Sequence, residues 1–154
     1  MVTERSRQAA DLNTGTLLLR AVQAFQVELL QGLGREGYDL RAKHGAVLAN
    51  LDPDGSRLTV LARRARMGKP ALGELVDELQ AMGYVQRVPD PADGRARLVL
   101  PTARGLAAIE AARRLIGAIE RRYAAELGES LYASLREALL TLVPHGSEDL
   151  QPRT

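Results

Sequence analysis

Arg95 and Arg97 stand just past the turn-forming run Pro89, Asp90, Pro91, Asp93 and Gly94, so a hairpin built there carries two cations at its tip. Guanidinium groups on a rigid base bind phosphate or carboxylate through paired hydrogen bonds; on their own they break no bonds. Between residues 57 and 104 the chain holds nine bases (Arg57, Arg63, Arg64, Arg66, Lys69, Arg87, Arg95, Arg97 and Arg104) against five acids (Glu74, Asp77, Glu78, Asp90 and Asp93). Each flanking segment has six bases and seven acids, so the formal charge of +2 hides a cationic centre. Such a centre suits a polyanionic partner, although a solvated charged face has the same composition.

Other chemistry is poorly provided for. The absence of Cys removes disulfides, thiolate nucleophiles and thiolate metal sites. Two distant histidines, His44 and His145, supply neither a metal cluster nor a nucleophile–base pair, and no glycine-rich phosphate loop is present. Asp90 and Asp93 read better as turn formers than as an acid–base couple. The expectation is a protein with no enzymatic activity, cofactor or metal. A polar start and the lack of any long apolar run point to a cytoplasmic protein without a membrane partner.

The elements that must position these cations follow from hydrophobic period. Leu18, Val22, Phe25, Leu29 and Leu33 predict a first helix over residues 14–35, and residues 40–51 a shorter second one ended by Asp52, Pro53, Asp54 and Gly55. Ser56 to Leu58 reads as a short strand, Thr59 as the cap of a third helix, and Lys69 as the start of a fourth, with Pro70 in its first turn. That fourth helix carries Leu72, Leu75, Leu79 and Met82 and stops at Gly83. Two extended arms follow, one around Tyr84, Val85 and Val88, the other around Leu98, Val99 and Leu100. Thr102 opens a long helix striped by Ile109, Ala112, Ile116, Ile119, Tyr123 and Leu127, and a last helix carries Leu131, Leu135, Leu139 and Leu142 as far as Pro144. The tail after residue 146 reads as disordered.

Only 3% of residues are aromatic, so the core must be Leu, Ala and Val. The fold class is mainly α with a small β-wing (α+β). A winged helix-turn-helix over residues 38–101 is flanked by N- and C-terminal dimerisation helices at 14–36 and 102–144, all within one domain of 154 residues. The terminal stripes have no evident partner inside so small a chain, so a two-fold homodimer is expected; a closed intramolecular bundle is the alternative.

The stretch LVDELQAMGYVQR at residues 75–87, followed by DPADGRARLVLPTARG at 90–105, resembles the MarR family of bacterial regulators, and the likeness extends over about residues 14–143. The resemblance implies that Arg95 enters a DNA minor groove with Asp93 supporting the wing, that Arg97 contacts phosphate or supports the wing, and that Lys69, Pro70, Ala71 and Gly73 form the exposed start of a recognition helix. Glu74 and Glu78 depart from it, standing where relatives commonly carry a base. Either acid can pair with a neighbouring Arg, and Glu74 can also accept a hydrogen bond from cytosine.

The function expected is a sequence-specific transcriptional regulator: a homodimeric repressor binding a pseudo-palindrome on double-stranded DNA, released by a small aromatic or anionic ligand. Arg63 and Arg64 are expected on phosphate, with Arg66, Arg41 and Lys43 as further candidates. Phe25, Tyr38, His44 and Tyr123 are candidate walls of a ligand cleft, each also readable as core or surface. The rival from another class is a winged-helix module whose basic wing meets an acidic protein.

Overall fold

A computed structural model describes residues 12–143. The expectations for the first residues, Pro144, His145 and the tail lie outside them. Helix α1 (Thr14–Arg35) is capped by Asn13, whose side chain accepts from Thr16 N at 2.9 Å. The second helix is shorter than its sequence suggests: a 3₁₀ turn (Ala42–His44) leads into a single turn, α2 (Gly45–Leu48). Asn50 ends it early by donating its side-chain amide to Ala46 O at 2.9 Å.

Strand β1 (Ser56–Arg57) passes directly into α3 (Leu58–Ala65). Thr59 is therefore not the cap. Ser56 and Arg57 stay extended because they pair with Val99 and Leu98, the helix starts at Leu58, and its N-cap is Arg57, whose side chain makes no capping hydrogen bond. Arg66 closes α3 in the left-handed region at φ 52°. Helix α4 (Lys69–Ala81) then begins after Gly68 with Pro70 in the first turn, where no amide is needed.

The hairpin consists of β2 (Val85–Asp90) and β3 (Asp93–Pro101), in a three-stranded antiparallel sheet ordered β1-β3-β2. Its arms run further than the apolar residues alone suggest. Pairing continues to Asp90 and Asp93 across an irregularity at Pro89/Asp90, which confines the reversal to Pro91 and Ala92. Arg95 and Arg97 thus lie on a strand, not in the loop. They share one face of β3 with buried Val99, and alternation places them about 7 Å apart where the hairpin outruns the core.

The core sits between α2, α3, α4, the sheet and the start of α5 (Ala103–Leu127). Leu61, Leu72 and Leu79 are fully buried, each contributing about 1.5–3 kcal/mol relative to exposure. Tyr84, also fully buried, receives the start of α5: Thr102 donates its hydroxyl to Gly83 O at 2.6 Å and accepts from Gly105 N at 3.1 Å. Arg104 donates to Gly37 O at 3.2 Å and to the Tyr84 hydroxyl at 3.3 Å. This joint ties the winged unit to both long helices.

Beyond the joint, α5 runs back along α1. Arg114 reaches Glu36 at 2.7 Å, Arg122 reaches Glu28, and the Phe25 and Tyr123 rings lie 6.4 Å apart. Gly128 turns the chain into α6 (Glu129–Leu142), where Arg136 reaches back to Glu120 at 2.8 Å. The stripe of α5 is only partly covered: Ile119 is buried, Leu127 exposed. Leu18 and Val22 of α1 and Leu131, Leu135, Leu139 and Leu142 of α6 are all exposed.

Candidate nucleic-acid interface

The N-terminal turn of α4 presents Lys69, Pro70 and Ala71 to solvent. Gly73 lies at the flank instead: half-buried, with Leu58 of α3 3.9 Å from where a Cβ would stand. The buried stripe of α4 is Leu72, Leu75, Val76 and Leu79, so helical spacing places Pro70, Glu74, Asp77 and Ala81 along the opposite, outward line.

The acids of α4 differ in their surroundings. Asp77 accepts from Arg87 at 2.5 Å. Glu78 gathers Lys43 at 2.6 Å, His44 Nε2 at 3.1 Å and Arg41 at 3.2 Å, which pull its carboxyl down to about 2; the Lys43 hydrogen bond is the largest cause, followed by His44. Arg41 and Lys43, candidates for phosphate, are engaged here. His44 has no exposed surface. Its Nδ1 accepts from Arg41 N at 3.1 Å, so the proton must sit on Nε2, which donates to Glu78. Glu74 is exposed and has no hydrogen-bond or ion-pair partner among the described residues.

On α3, Arg63 is exposed and without an ion-pair partner among the described residues. Arg64 is held at 2.8 Å by Asp52 and at 2.9 Å by Asn50 O. Arg64, expected on phosphate, is thus engaged by Asp52, whose carboxyl is lowered first by the Ser56 hydroxyl and then by Arg64.

Arg95 and Arg97 are exposed on the wing, with no side-chain partner among the described residues. Asp93 supports the turn through the backbone, accepting from Arg95 N at 3.2 Å, and does not touch the Arg95 guanidinium. The stronger brace comes from elsewhere. Buried Asp90 accepts from Ala92 N at 2.8 Å and from Arg57 Nε at 2.7 Å, while a second Arg57 nitrogen lies 2.6 Å from Asp90 and 3.8 Å from Asp93. The Ala92 amide first, then Arg57, holds the Asp90 carboxyl below its ordinary range. Sequence reading missed this pairing because Arg57 and Asp90 are 33 residues apart. The one signal was the short strand at Ser56, which had to pair with the hairpin.

A cavity of about 230 Å³ opens between the loop after α2, the end of β3 and α5, lined by Leu51, Pro53, Pro101, Leu106, Ile109, Glu110 and Arg113. None of Phe25, Tyr38, His44 or Tyr123 lines it. Phe25 and Tyr123 pack α1 on α5, Tyr38 is half-buried against the core, and His44 locks α2 to α4. Among the described residues no group of His, Cys, Asp or Glu could hold a metal ion, and no helix is long and apolar enough to cross a membrane.

Residues 38–96 match the model of the MarR family. No curated protein matches the chain in sequence. Among solved structures, it is similar to a probable transcriptional regulator from Pseudomonas aeruginosa (29% identity, TM-score 0.71, covering 87% of this chain and 99% of that one). A point mutant of MarR from E. coli, complexed with operator DNA, is 26% identical (TM-score 0.71, covering 84% and 93%). The transcriptional repressor CouR, bound to a 23-mer DNA duplex, is 25% identical (TM-score 0.71, covering 88% and 94%).

Proposed function

We propose that this chain is a winged-helix transcriptional regulator of the MarR family, whose model it matches over residues 38–96, and that it acts as a homodimeric repressor, binding a pseudo-palindromic operator and released by a small ligand. One observation carries the reading. Lys69, Arg63, Arg95 and Arg97 are exposed and unpaired among the described residues, whereas Asp52, Asp77, Glu78 and Asp90 of the same winged unit are each neutralised by a cation. The unpaired cations of the unit therefore lie on α3, at the start of α4 and along the wing, with Glu74 the one acid of α4 left unpaired among the described residues. Relatives of the same fold hold DNA, which supports assigning those cations to a duplex.

In this reading α4 enters the major groove with Lys69, Pro70 and Ala71 leading, Arg95 enters the adjacent minor groove, and Arg63 and Arg97 meet phosphate. Asp93 and Asp90 hold the wing in shape. The exposed apolar faces of α1 and α6 supply the dimer, which sets two winged units on half-sites about 10 base pairs apart. The 230 Å³ cavity, with apolar walls and an Arg113–Glu110 pair at its edge, is the candidate cleft for a small ligand, and an occupant there would press on the loop and strand that carry β1 and the wing.

Selection of bound fragments from random duplex DNA tests the reading. A two-fold symmetric consensus is expected, with affinity falling log-linearly with salt. Equal binding to all duplexes, or to none, would favour the protein-binding alternative.

A further inference from the structure

From the contrast among the three acids of α4, we infer that Glu74 reads a cytosine in each half-site, accepting a hydrogen bond from its exocyclic amine. The inference rests on the DNA-binding reading above. Glu74 lies on the outward line of α4, opposite the buried stripe, one turn beyond Pro70 and short of Ala81. Asp77, on the same line, is taken by Arg87, and Glu78 is taken by Lys43, Arg41 and His44. Neither has a free carboxylate to offer a base. Glu74 alone on this helix keeps both oxygens open among the described residues.

A bare carboxylate in a groove walled by phosphates is repelled, so its presence there requires a donor on the groove floor to offset the repulsion. The major-groove edge of cytosine offers an amine with no acceptor beside it on the same base. Adenine's amine has the acceptor N7 beside it, which opposes a carboxylate, whereas guanine (N7, O6) and thymine (O4) offer it no donor at all. Geometry favours the approach. Pro70 and Ala81 flank Glu74 along the helix with short side chains, letting the backbone of α4 sit close to the bases. Lys69, exposed at the start of the helix, remains available to balance the local charge against phosphate.

The test repeats the selection of bound duplexes with the wild-type protein, Glu74→Gln and Glu74→Ala. Unchanged melting temperatures are expected, since this side chain has no partner to lose. The wild type should fix one cytosine per half-site, preferred over other bases by roughly 5-fold, the low end for a specific base contact. Glu74→Ala should erase the preference at that position alone. Glu74→Gln should replace it with adenine, whose N6 and N7 suit an amide. If Glu74→Ala selects the same bases at every position, or merely binds all duplexes more tightly, Glu74 touches no base and the inference fails while the DNA-binding reading stands. A wild type that enriches no sequence would overturn both, and the two failures are distinct.

Discussion

Arg95 has an exposed guanidinium, while its own amide donates to Asp93, so the strand is fixed and the side chain left free to reach. Replacing Arg95 by Ala should weaken operator binding by about 1–3 kcal/mol if it enters a groove, and leave thermal stability unchanged. Glu78 answers to a different measurement. Its carboxyl is held at about 2 against an ordinary value of 4.5 by Lys43, His44 and Arg41. A depressed carboxyl stabilises the fold above its unfolded value and loses that contribution as pH falls through the folded one. Melting temperature should therefore drop between about pH 4.5 and about 2, and Glu78→Gln should flatten that part of the profile by lowering stability on its neutral side. Identical acid limbs for both proteins would show that the cluster contributes nothing. At this scale the sequence was only partly legible. It marked Glu78 as an acid out of place and His44 as a lone histidine, but their union needed α2 and α4 packed together, which no periodicity encodes.

At the scale of elements, the joint between Tyr84, just before β2, and α5 depends on how closely two backbones approach. A Cβ on Gly105 would stand 2.0 Å from Tyr84 O, and Tyr84 is itself fully buried, so neither side can yield. Gly105→Ala should cost about 3 kcal/mol or more in chemical denaturation, whereas Gly94→Ala, with nothing within 4 Å, should be close to neutral. Comparable losses at both would mean that the joint is looser than its geometry. Long elements were read well because period reports burial over many residues: α1 and α4 begin and end close to where their stripes do. Short ones were not. The length of α2 was set by the Asn50 side chain and the start of α3 by pairing of Arg57 with Leu98, both local competitions that apolar spacing does not register.

For the whole molecule, the exposed leucines of α6 are the deciding feature. Leu131 is 59% and Leu142 66% exposed, more than a lone helical chain of this size has reason to leave in water. Melting temperature should rise with protein concentration, as for any fold stabilised by self-association, and Leu131→Asp should give a folded single subunit with much weaker operator affinity. A wild-type protein that sediments as one chain at micromolar concentration would refute the dimer.

The tie from Arg57 to Asp90 carries a consequence for the operator. It fastens the wing to the N-cap of α3, the helix that packs on α4, so in the proposed complex the wing is tied to the α3–α4 pair and reaches α4 only through α3. Each subunit must then dock as one stiff body. One extra base pair at the centre of a site rotates the far half by about 34°, a mismatch that the proposed dimer has to absorb between its subunits and not within a winged unit. For the proposed dimer, tolerance for such insertions should be narrow, and the sites it selects should share a single length between their two arms.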